Sequence, residues 1–146
     1  MIDIRTNFLN GSIKINGYLI PHEESFFLKI EENNPLNFTK QKTKKSTIYR
    51  IETMEHYKKC FIESISIEYN CGTIKKITIN FIEKNKNLPC SVESTMTAVA
   101  IEKITKIKPL ELGISEVEFT FQWGSINLLY DIKTSSSAAV LRHKNP

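Results

Sequence analysis

Between Glu63 and Phe81 the chain reads ESISIEYNCGTIKKITINF, and its alternation leaves few folds open. Ile65, Ile67 and Tyr69 alternate with Ser64, Ser66 and Glu68. Past Asn70-Cys71-Gly72, Ile77, Ile79 and Phe81 alternate with Lys76, Thr78 and Asn80. Successive side chains of a strand point to opposite faces, so each run lays down one apolar and one polar face. Two such runs around a glycine-containing turn predict an antiparallel hairpin. The polar face carries Ser, Thr, Glu and Lys, which predicts a sheet with one side open to water.

The same period returns near the end of the chain. Val117, Phe119, Phe121 and Trp123 share one face, opposite Glu118, Thr120 and Gln122, and Ile126, Leu128, Tyr130 and Ile132 resume the pattern. Ala138 and Val140 continue it, with Arg142 in phase. This predicts two or three antiparallel strands with turns at Gly124-Ser125 and around Thr134–Ser137, their aromatics inward. Earlier, SIKINGYLI reads as a strand interrupted by an Asn-Gly turn or bulge. SFFLKI (Ser25 to Ile30) reads as a short strand, and TIYRIE as another. The polar run from Glu31 to Ser46 has no period and reads as an exposed loop.

Between Ser91 and Lys108 the period changes. Val92, Met96, Val99, Ala100, Ile104 and Ile107 recur at three- and four-residue steps, as on one stripe of a helix. Ser91 serves as N-cap, Glu93 stands in the first turn and Pro109 stops the helix. At 146 residues the chain suits a single domain, 1–146, with a continuous core. The expected class is α+β: a mainly antiparallel meander with one principal helix, about 91–108, packed on it.

The net charge of +4 is unevenly spread. Residues 39–59 hold seven cations (Lys40, Lys42, Lys44, Lys45, Arg50, Lys58, Lys59) against two carboxylates. Residues 1–38 hold five carboxylates against three cations. One basic and one mildly acidic surface follow. Cys60, Cys71 and Cys90 form no C-x-x-C pair and read as small, partly buried hydrophobes rather than a disulfide framework. No run is apolar enough for a signal peptide or a membrane span, so the expected location is cytoplasmic.

The usual catalytic constellations fail one by one. Ser135, Ser136 and Ser137 lack a G-x-S-x-G elbow and sit where a turn is expected. His56 and Cys60, four apart, would share a helical face, but no further ligand lies near, and a structural zinc wants four. His22, Glu23 and Glu24 in PHEES could work as acid and base in a cleft, yet read more simply as charges on a turn. No glycine-rich phosphate loop occurs. The expectation is a protein with no catalytic residue, metal or cofactor. The basic run TKQKTKK, flanked by Phe38 and Tyr49, could meet nucleic acid through phosphate contacts and base stacking. It carries no recognised RNA-binding signature and reads first as a hydrated loop.

As a layout, the chain resembles a bacterial immunity protein, the cognate inhibitor encoded beside contact-dependent growth inhibition toxins and other polymorphic toxins. The likeness spans the whole chain: a small, motif-poor domain with lopsided charge, closing in the FQWGSINLLYDIKTSSSAAVLR meander. It implies a non-enzymatic function, the neutralisation of a toxin domain by a stoichiometric complex. The contact residues would be Glu23, Glu24, Glu31 and Glu32, or Lys40, Lys42, Lys44 and Lys45. The positive net charge departs from the carboxylate-rich surface expected against a nuclease. The competing reading is a small nucleic-acid-binding module using the 39–59 segment.

Overall fold

The computed structural model describes residues 2–33, 36–57, 60–83, 98–113, 115–131 and 136–144. The first three strands, β1 (Ile4–Asn7), β2 (Ser12–Ile15) and β3 (Tyr18–Leu19), form a small antiparallel meander. Helix α1 (Glu24–Asn33) follows. Strands β4 (Thr39–Lys42), β5 (Ser46–Tyr57), β6 (Cys60–Asn70) and β7 (Thr73–Glu83) make one meander of the main sheet. After α2 (Ala98–Thr105), strands β8 (Leu110–Glu111), β9 (Glu116–Phe121), β10 (Gly124–Asp131) and β11 (Ser136–His143) make another. The two meanders join through their last strands, giving an eight-stranded antiparallel sheet of order β4-β5-β6-β7-β11-β10-β9-β8. The class is α+β, as expected.

The hairpin predicted from alternation is β6–β7. Its two-residue turn is Cys71-Gly72, both at positive φ (51° and 82°), and Asn70 pairs with Thr73. Asn16-Gly17 closes β2–β3 in the same way. Positive φ at both central positions matches the twist of the flanking strands, and an Asn-Gly pair reaches it with little strain. Cys71 is therefore exposed at a turn rather than partly buried as expected.

One face of the main sheet holds the core. Tyr49, Ile65, Ile67, Tyr69, Ile77, Ile79, Phe119, Ile126 and Leu141 are buried there, each at most 1% exposed. Ile4, Ile13 and Ile15 of the small sheet, Phe27 of α1 and Ile101 of α2 complete the same cluster. α2 lies within the window expected to be helical but ends at Thr105, where Lys106 turns to φ 62°, short of Pro109. It packs through Ile101, while Val99 and Ile104 of the expected apolar stripe are exposed; residues 91–97 fall outside the described ones.

The segment SFFLKI is helix, not strand, because Phe27 seats among aromatic rings. Its centroid lies 4.2 Å from Tyr49, 4.8 Å from Phe38 and 5.7 Å from Tyr69. Short aromatic runs are ambiguous between strand and helix, and tertiary packing decides. The expected loop 31–46 is likewise corrected: α1 runs through Glu31 and Glu32, and Thr39–Lys42 forms edge strand β4. The turn placed at Gly124-Ser125 falls two residues earlier, at Gln122-Trp123, since Gly124 already pairs with Phe121. Ser136 and Ser137 open β11 instead of lying in a turn; Ser135 and Ile132 fall outside the described residues.

Candidate functional site: a sheet face divided by charge

The pairing register fixes which polar side chains share the outer face of the main sheet. In antiparallel strands, directly opposed residues point to the same side. One row runs Gln41, Ile48, Glu68, Lys76, Arg142, Ser125, Thr120. The next runs Thr39, Arg50, Ser66, Thr78, Val140, Asn127, Glu118, Leu110. A third runs Glu52, Ser64, Asn80, Ala138, Leu129, Glu116. Small hydroxyls and amides hold the middle, with Asn80 Nδ2 donating to Ser64 Oγ at 2.9 Å.

Two shallow grooves lie side by side on this face and share Asn80. The first, about 370 Å³, lies over β4–β7. Its lining carries Arg50 and Lys76 against one carboxylate, Glu68; Lys40 also borders it, although register sets that residue opposite Tyr49 of the core face. The second, about 300 Å³, reaches from β6 and β7 to β9. Its lining carries Glu63, Glu116 and Asp131 and no cation. Charge is therefore segregated across the face. Lys76 lies opposite both Glu68 and Arg142, and Lys75 Nζ also comes within 3.9 Å of Glu68 Oε2, so one carboxylate here answers several cations. Register sets only Leu129, Asn127 and Leu110 against Glu116 and Glu118, with Asn127 Nδ2 donating to Glu116 Oε1 at 3.1 Å. Arg50 is partly answered by Glu52 at 3.1 Å, an exposed pair of small worth.

The residues singled out from sequence are scattered over the molecule. Glu24 turns inward at the start of α1 and accepts from Tyr49 Oη at 3.0 Å. Glu23 is exposed and bridges to Thr73. Glu31 and Glu32 lie in the last turn of the same helix, about two turns or 11 Å farther along its axis. Lys40 sets its ammonium 5.6 Å from the Tyr49 ring centroid and also reaches the basic groove. Lys42 ends the edge strand, and Lys44 and Lys45 occupy the exposed turn into β5. His56 and Cys60 sit on two paired strands rather than one helical face. Among the described residues no three of His, Cys, Asp and Glu gather as a metal site would require. No helix among them is long and apolar enough to cross a membrane.

Two polar clusters lie inside the packing. Tyr69 Oη donates to the carbonyl of Pro21 at 2.7 Å; burial first, then Tyr49 and Glu24, push its hydroxyl far above the usual phenol range. At the other end His143 Nε2 lies 2.8 Å from Gly11 O. A carbonyl only accepts, so Nε2 carries the proton, leaving Nδ1 buried without a partner among the described residues. Burial pulls the His143 pKa below its usual 6.5, nearby His22 adds to this, and the Gly11 bond opposes it. Trp123 Nε1 donates to Phe8 O at 2.8 Å, and its ring lies 5.1 Å from both Phe121 and His143. A Cβ on Gly11 would strike the Trp123 indole, so only glycine lets the chain pass.

Comparison with protein-family models, with curated proteins and with solved structures finds no match for this chain. Lys76, Arg142, Glu63, Glu116 and Asp131 escape sequence reasoning as site residues. Alternation puts most of them on the polar face, but only the strand order shows which lie together.

Proposed function

We propose that this protein works by stoichiometric, non-catalytic binding, and that it neutralises a cognate toxin domain through the outer face of its main sheet. The observation that carries the reading is the pair of adjoining grooves of opposite charge on one hydrogen-bonded platform. A sheet whose strands are fixed on both sides loses little entropy on association, which favours tight complexes. Segregated charge orients an approaching partner and raises its on-rate. A toxin surface with a cationic patch beside an anionic one fits such a face in a single orientation. The layout resemblance to immunity proteins supplies the class of partner.

Co-expression with the toxic domain encoded beside its gene tests this. The expected result is survival together with a one-to-one complex on calorimetry. Rescue without a complex would point to an enzyme acting on the toxin or its product. The nucleic-acid reading draws on the exposed Lys42, Lys44 and Lys45 of the β4–β5 hairpin. Tight, steeply salt-dependent retention on single-stranded DNA, lost when those three lysines become glutamate, would favour it instead.

A further inference from the structure

The loop Asn7–Gly11 between β1 and β2 is built firmly, yet it offers a leucine to solvent. Gly11 N donates to Asn7 O at 2.8 Å, Leu9 N to Asn7 Oδ1 at 2.9 Å, and Ser12 N to Asn10 Oδ1 at 2.9 Å. Trp123 and His143 hold it from the main sheet through Phe8 O and Gly11 O. On this anchored loop Leu9 is 92% exposed. A lone exposed leucine is ordinary, but Leu9 is not alone. It borders a groove of about 520 Å³ whose apolar lining also includes Phe8, Ile107 and Phe121.

The groove exists because β8 stops short. Its ladder ends at Leu110 opposite Glu118, and Pro109 before it has no N–H to extend the pairing. Thr120 and Phe121 therefore wall the groove instead of pairing with β8. Among the described residues, its one charged lining residue is a cation. Lys144 lines it, exposed Lys106 and Lys108 flank Ile107 in the chain, and no carboxylate is among its lining residues.

We infer that this groove is a second docking site, taking apolar side chains from an acidic segment of a protein partner. Apolar side chains cover Phe8, Leu9, Ile107 and Phe121, while flanking carboxylates meet Lys106, Lys108 and Lys144. Pre-ordering of the loop removes most of the entropic penalty that an exposed apolar tip would otherwise add. It shares no lining residue with the two charged grooves, so it stands whether or not those grooves bind a toxin.

Trp123, the only tryptophan, stacks on the groove residue Phe121 and reports occupancy by its fluorescence. The probe is an acetylated octapeptide with two leucines between three glutamates on either side. It is compared with the same peptide carrying lysines. The expected result is saturable quenching or shift by the acidic peptide only. Leu9→Asp, at a fully solvated position, weakens it at least tenfold without changing the melting temperature, and Lys108→Glu with Lys144→Glu does the same. Glu118→Lys on the outer face leaves it unchanged. Equal binding of the lysine peptide, no saturable signal, or an unaltered response in Leu9→Asp would each overturn the inference. So would self-association of the protein that Leu9→Asp abolishes, which would assign the groove to a second copy of this chain.

Discussion

Trp123 and His143 each use a ring nitrogen to hold the β1–β2 loop, and a distinct test follows from each. Trp123→Ala removes the stack on Phe121 and the bond to Phe8 O together. We expect a loss of about 3 kcal/mol in chemical denaturation, the lower end for a large aromatic because the ring is half-buried. His143 gives a pH dependence whose sign follows from its lowered pKa. The unfolded imidazole takes a proton near pH 6.5, the folded one only at lower pH, so in between the unfolded state binds more protons. Stability is thus full above about pH 6.5 and falls as pH drops below it. Unfolding free energy measured from pH 7.5 to 5.5 should decline in the native protein and flatten in His143→Gln. At this scale the sequence showed that Trp123 belongs near the core. It could not show the histidine contact, because Gly11 and His143 are 132 positions apart and meet only through the layering of two sheets.

Elements were most legible where alternation was long. The β6–β7 hairpin and the β9–β10 pair follow from period alone. In β11 the phase is reversed, with Ala139 and Leu141 in the core and Ala138 and Val140 on the outer face. The helix buries Ile101, while Val99 and Ile104 of the expected stripe are exposed. SFFLKI was not legible, since six residues of mixed aromatic and aliphatic character satisfy either period, and the ring cluster around Phe27 decides. The basic run was misread for a related reason. Lys40 and Lys42 lie on β4, an edge strand, where charged side chains oppose the addition of a further strand. That protective role needs no ligand. Replacing Lys40 and Lys42 by Val should leave the melting temperature nearly unchanged but promote self-association, seen as a rise in scattering mass with concentration. A monomer at all concentrations would show that the edge is guarded by something else.

For the molecule as a whole, the joining of two meanders through β7 and β11 is what turns scattered charges into two grooves. The polar character of the outer face was readable from Ser66, Thr78 and Lys76; that Ser64 and Asn127 on it are buried was not. The segregation of charge was not, because strands 8 to 11 could have followed the first meander in several orders. If that face is the working surface, its long-range field should show in kinetics. Association with the toxic domain should slow as salt rises, while dissociation changes little. The most direct test is the association rate of that complex at low salt for the native protein and for two face variants. Glu116→Lys with Glu118→Lys reverses the acidic end, and Arg50→Glu with Lys76→Glu reverses the basic groove. Both pairs should retain the native melting temperature within a few degrees. Each should lower the on-rate by roughly tenfold or more. Two variants that fold and bind at the native rate would contradict the account.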